Sequence, residues 1–182
     1  MEIRAPGACV ADGLRAGRCF VKAKEQLQEI QGLMLFLASG AHGLEEILGR
    51  GAGGITFRAG KVTGKQAAVQ TRAQGDLLEA LDRVWEEMCR IGMRWPFEPY
   101  KRESDAQLIV EDDETLKMQL VFRHCMVRCS LFRYGHPQRL SLCMMNHGLF
   151  CGLLEKVHGK RANLEIIHAG ENACLKLLTV YK

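Results

Sequence analysis

Apolar residues recur at helical spacing in three segments of the chain. Residues 20–38, 76–91 and 139–158 each place apolar side chains three or four positions apart, as a helix with one buried face does. Two other segments, 108–122 and 164–181, place apolar strands on either side of a short polar turn, which is typical of hairpins. The pattern predicts an α+β fold in which an antiparallel sheet packs against several helices, with a glycine-bearing helix separating the two hairpins.

The segments between these elements carry weaker patterns. Glycines in residues 39–43 predict a break after the first helix, and residues 95–100 read as a stiff aromatic connector. Residues 124–137 are expected to continue the first hairpin as strand and loop. We predict an N-terminal arm and helix over residues 1–43 and one domain over residues 44–182.

Residues 50–74 contain many glycines, yet their apolar positions still fit a helix. Gly60 and Gly64 are four residues apart, as are Gly148 and Gly152 on the later helix. A phosphate-binding loop is not supported, because Ile55 stands where that motif requires glycine. We expect the glycines to permit close helix packing inside one subunit, with a homodimer seam as the alternative.

Composition and charge exclude several classes of protein. Of the 182 residues, 47% are hydrophobic and 25% are charged, which is typical of a folded globular chain. The net charge of +4 is not gathered into a basic stripe, so nucleic acid is not an expected partner. No apolar run approaches the roughly 20 residues of a membrane span.

The chain contains eight cysteines. Its first residues show no apolar signal core, so we expect a reducing cytoplasm and thiols that are free or metal-bound. Each cysteine could be a small buried hydrophobic residue. Alternatively, Cys125 and Cys129 could join Cys151 or His147 in a second metal or cluster site.

The order of these features resembles the 4-vinyl reductase family of hydrocarbon-binding domains over roughly residues 44–180. The resemblance is carried by four groups: Ile55 with Phe57–Lys61 and Gly64–Lys65; Leu77 with Glu79–Leu81; Cys143 with Gly148 and Gly152–Glu155; and Glu165 with Ala169–Cys174. The family is similar in fold to subunits of vesicle-tethering particles and to haem-based nitric oxide sensors. The resemblance implies a compact, often dimeric domain with an apolar cavity for a small hydrophobic or aromatic ligand.

The resemblance also implies a metal site. Metal-binding members hold one zinc with three cysteines and a glutamate. Carried over, these ligands fall on Cys143, Glu165 and Cys174, with His168 in place of the middle cysteine. Two thiolates, an imidazole and a carboxylate are competent zinc ligands, and iron or haem is the less favoured cofactor. In a regular strand Glu165 and His168 would point to opposite faces, so a bulge is needed to bring them together.

Aromatic and polar residues near the predicted cavity are the candidate ligand contacts. They are Trp95, Phe122, Phe132, His147 and Cys151. Core packing explains the same residues, as does the four-residue spacing of Cys143, His147 and Cys151 on one helix face.

The sequence therefore predicts a cytoplasmic ligand-binding domain, acting as a sensor or carrier, with a possible structural zinc. One alternative is an accessory protein or reductase acting on tetrapyrrole vinyl groups, which would need an external electron donor. A second alternative is a cysteine-based metal or redox sensor. We expect a binding protein rather than an enzyme, a homodimer, and a separate effector protein for any regulatory output.

Overall fold

The computed structural model describes residues 13–68, 75–133, 135 and 137–182, and their side chains except those of residues 13–27, 129, 130, 132 and 133. The helices in this part of the chain are α1 Gly13–Leu48, α2 Gly51–Ala67, α3 Leu77–Arg90, α4 Met126–Arg133 and α5 Ser141–His158. The strands are β1 Phe97–Tyr100, β2 Ile109–Glu111, β3 Thr115–Arg123, β4 Ala162–Ala169 and β5 Ala173–Tyr181.

The chain divides into two units, Met1–Leu37 and Ala38–Lys182. The described part of the first unit is helical and belongs to α1, and the second unit contains every other element. The division predicted after residue 43 stays a prediction.

All five strands form one antiparallel sheet in the order β1-β3-β5-β4. The short strand β2 also pairs with β3, further along the edge that β1 occupies. This arrangement confirms the predicted α+β fold, and it confirms both hairpins to within a few residues.

One face of the sheet lies against the buried helix α5. On β5 the inward residues alternate with partly exposed ones up to Leu178, so Cys174, Lys176, Leu178 and Val180 are buried. Most of α5 is buried as well, including Phe150 at its centre. The core therefore lies between the sheet and α5, with α3 covering part of the same cluster.

Helices α2 and α5 approach each other backbone to backbone. A Cβ on Gly60 would lie 2.0 Å from the Met145 carbonyl oxygen, and one on Gly148 would lie 2.0 Å from that of Phe57. Gly64 and Gly152 make equivalent contacts. The prediction of close packing within one subunit is confirmed, and these glycines are not available for a seam between subunits.

Three sequence-based predictions of local structure were wrong. The break at residues 39–43 is absent because α1 is continuous there: Ala38 packs near Leu142, and the Glu45 carboxylate accepts a 2.7 Å hydrogen bond from the Ser141 N–H. Residues 126–133 form α4 instead of a strand. The predicted connector includes β1, which pairs with β3. In all three segments, the local structure depends on contacts with residues distant in sequence.

No helix among the described residues is both long and apolar enough to cross a membrane.

Candidate functional site

Lys176 lies at the centre of the candidate site, on the inward face of β5. Its side chain is only 3% exposed, and its Nζ lies 2.7 Å from Nε2 of the buried His147 on α5. A lysine that is nearly fully buried is rare unless it is paired, so this contact between sheet and helix marks the site as unusual.

Two aromatic rings surround the lysine nitrogen. The Nζ of Lys176 lies 4.1 Å from the ring centroid of Trp95 and 4.5 Å from that of Phe122. The rings of Trp95 and His147 are almost parallel, with centroids 6.4 Å apart. The electron-rich ring faces partly replace the water that a buried cation loses.

Burial controls the protonation of this pair. Desolvation lowers the pKa of Lys176 to about 8, although neighbouring thiols oppose the shift. Desolvation and the charge of Lys176 hold the pKa of His147 well below its usual value, so the imidazole is neutral at pH 7. Neutral His147 accepts the lysine hydrogen bond at Nε2 and carries its proton on Nδ1. The Leu164 carbonyl favours protonation of the ring, yet Nδ1 forms no hydrogen bond of ordinary geometry.

Three thiols lie around Lys176: Cys125 precedes α4, Cys143 is on α5 and Cys174 is on β5. None of them forms a disulfide. Burial raises the pKa of the Cys125 and Cys143 thiols, although backbone N–H groups and the positive charge of Lys176 oppose the shift. Those two thiols are therefore protonated and weakly nucleophilic at neutral pH.

A small, partly enclosed cavity lies between α4, α5 and the sheet. Its volume is about 10 Å³, which is room for about one water molecule. Three buried donor groups on its lining, the indole N–H of Trp95, one guanidinium nitrogen of Arg128 and Nδ1 of His147, have no hydrogen-bond partner among the described residues. The lining consists of Trp95, Cys125, Val127, Arg128, Gln138, Cys143, Asn146, His147, Ile166, Cys174 and Lys176.

The structure brings together three of the five residues predicted to contact a ligand. Trp95, Phe122 and His147 all surround Lys176. Cys151 is fully buried in the core, one helical turn beyond His147, and burial raises its pKa to about 12. The Phe132 side chain lies outside the described residues.

The four predicted metal ligands lie on two different faces of the sheet. A β-bulge at Ile167 brings Glu165 and His168 to one face, as the metal prediction required, but that face is exposed. Cys174 lies on the opposite, inward face, where it lines the cavity together with Cys143. Within the described residues, no three histidine, cysteine or acidic side chains are grouped closely enough to hold a metal ion. Zinc binding stays a prediction.

Sequence reasoning missed the two cations of the site. Lys176 has the same parity on its strand as Cys174, Leu178 and Val180, so strict alternation would have placed it inside. No such signal existed for Arg128, because its segment was predicted as strand and loop.

The fold is similar to that of a solved sensory domain. A crystal structure of the phenol-responsive sensory domain of the transcription activator PoxR, with phenol, superimposes with a TM-score of 0.57 at 15% sequence identity. The match covers 81% of this chain and 74% of that chain. No protein-family model and no curated protein sequence matches the chain. At this identity the likeness shows that the two chains share a fold.

Proposed function

We propose that this protein is a sensory domain that binds a small aromatic or apolar ligand between α5 and the sheet. The observation that carries the proposal is the cavity beside Trp95 and Phe122, in which buried polar groups have no hydrogen-bond partner among the described residues. Ligand sites combine apolar walls with placed polar groups. This cavity contains both, with Trp95, Val127 and Ile166 beside Arg128, His147 and Lys176. The similarity in fold to a phenol-responsive domain supports the proposal.

The proposal agrees with the resemblance to the hydrocarbon-binding 4-vinyl reductase family. Membership of that family, a cytoplasmic location and a separate effector protein are parts of the proposal. The tetrapyrrole and cysteine-sensor alternatives stay predictions, as does a structural zinc.

We also propose that the protein is a homodimer. Ile55, Ala59 and Val62 form an exposed apolar stripe along one side of α2, away from the glycine face. Ile47, at the end of α1, is 82% exposed. Exposed apolar patches of this kind are typical of association surfaces, and symmetric dimers are the commonest oligomers.

The two tryptophans allow a direct test of ligand binding. Trp95 is at the site, whereas Trp85 lies on α3. In Trp85→Phe protein, where Trp95 is the only tryptophan, we expect saturable changes in tryptophan emission on titration with phenol. In Trp95→Phe protein, the emission of Trp85 should change much less.

A thermal shift assay with phenol serves as the independent measurement. A ligand that binds only the folded state stabilises it by RT ln(1 + L/Kd), where L is the free ligand concentration, so Tm rises with ligand concentration. If phenol, toluene and benzoate at millimolar concentration all fail to raise Tm and to change Trp95 emission, the proposed function is wrong.

A further inference from the structure

We propose that the cavity is built to receive an anionic oxygen group, so that the ligand is a small aromatic carboxylate or an ionised phenol. This inference rests on the proposed function and narrows it, because it names the charge of the ligand. The observation behind it is that two buried cations, Lys176 and Arg128, line one cavity with no acidic residue among its described lining.

The charges around the cavity do not balance. Lys176 is 3% exposed and Arg128 is 7% exposed, and both line the cavity. No aspartate or glutamate is among the described residues that line it, and the described part of the chain offers neither cation an ion pair. Buried cations normally have an acidic partner, because an uncompensated charge loses its hydration without replacement. An anionic ligand would supply the missing charge.

The hydrogen-bonding groups of the cavity lining that lack partners are all donors, which again favours a ligand that accepts hydrogen bonds. The Trp95 indole and one Arg128 nitrogen are both donors, and neither has an acceptor among the residues that the structure describes. The hydrogen bond of Lys176 goes to the neutral His147 ring, which does not balance the lysine charge. A lining rich in unsatisfied donors is complementary to a group that only accepts, and carboxylate and phenolate oxygens are such groups.

The aromatic part of the ligand is indicated by the rings beside the charge. Trp95 and Phe122 have centroids 4.3 Å apart and hold Lys176 Nζ near their faces. A ligand whose anionic oxygens replace the ring faces around Nζ would place its own ring against them. The free volume of about 10 Å³ means that side chains must move to admit it, and the long side chains of Lys176 and Arg128 are able to do so.

Calorimetric titration with benzoate and benzamide tests the inference, since the two probes have nearly the same shape and differ in charge. At pH 7 we expect benzoate to bind about tenfold more tightly or better, in keeping with a charged hydrogen bond. Lys176→Met should remove most of this preference while leaving benzamide affinity within about threefold, since only the charged contact is lost. Arg128→Met should act in the same direction.

Lys156→Met is the matched control, because Lys156 is exposed on α5, lies more than two helical turns after His147 and is not among the residues that line the cavity. It should leave both affinities unchanged. Equal binding of the two probes, with no effect of Lys176→Met, would overturn the inference and leave the sensory function standing. Acetate binding as tight as benzoate would overturn the aromatic part. Failure of every probe, toluene and phenol included, would overturn both proposals.

Discussion

At the scale of single residues, the main feature is a lysine kept where it costs stability. Folding moves the Lys176 amine from water into a cavity without a carboxylate partner among the described residues, and its pKa falls to about 8. A base whose pKa is lowered by folding is destabilising wherever it is charged in both states. The penalty is therefore full below pH 8 and declines as pH rises from about 8 towards the unfolded pKa of about 10.4.

Replacing this lysine should therefore stabilise the protein. For Lys176→Met we expect a gain of about 3 kcal/mol in the free energy of unfolding at pH 7, since one pKa unit is worth about 1.4 kcal/mol. Most of the gain should vanish by pH 10. Urea unfolding of both proteins from pH 7 to pH 10 measures this.

The comparison of wild-type and Lys176→Met protein is needed because the buried thiols also make stability depend on pH. The other titratable or charged groups around Lys176 are Arg128, His147 and the thiols Cys125, Cys143, Cys151 and Cys174. The raised pKa values of Cys125, Cys143 and Cys151 make both proteins less stable at alkaline pH, and this effect largely cancels in the difference. A difference that does not change with pH would show that folding leaves the pKa of Lys176 near its unfolded value.

What could be read from the sequence at this scale depended on residue type. Trp95, Phe122 and His147 were found because large aromatic and imidazole side chains near a predicted core invite attention. Lys176 was missed because lysine is ordinarily exposed, so its inward parity was overlooked. The separation of Glu165 from Cys174 depends on strand pairing, which composition does not reveal.

At the scale of elements, the α2–α5 contact is the feature that the sequence specifies most directly. Gly60 faces a carbonyl oxygen of α5 at a distance that no side chain tolerates, whereas Gly54 on the same helix is exposed with nothing within 4 Å. The sequence predicted this packing because both helices carry glycines four residues apart. The sequence-based predictions were wrong for α1 and α4. The extent of these helices depends on tertiary contacts rather than on the glycines or cysteines within them.

Adding one methyl group to each glycine separates close packing from helix propensity. Gly60→Ala should cost about 2–3 kcal/mol or more, because the helices must move apart. Gly54→Ala should gain up to about 1 kcal/mol, the ordinary helix propensity difference. Thermal and urea unfolding of both variants measure the two effects, and equal effects would contradict the close contact.

At the scale of the whole molecule, the exposed stripe on α2 is the proposed association surface. We expect Ile55→Glu to produce monomers at micromolar concentration, because a charge in an apolar interface loses hydration on association. Val110→Glu, at an exposed position on β2, is the control and should leave the mass unchanged. Sedimentation equilibrium measures both, and a wild-type protein that is already monomeric would contradict the homodimer.

The glycine contacts also determine which helices of the domain can move independently of each other. A shift of α2 along α5 by one residue would press a side chain into a carbonyl oxygen. The two helices therefore cannot slide past each other. The wall of the cavity that α5 contributes, including His147, can therefore move only together with α2. The other walls carry the long side chains of Lys176 on β5 and Arg128 on α4, and we expect these to make room for an incoming molecule. Under the proposed sensory function, an effector that detects occupancy would contact the domain at α4.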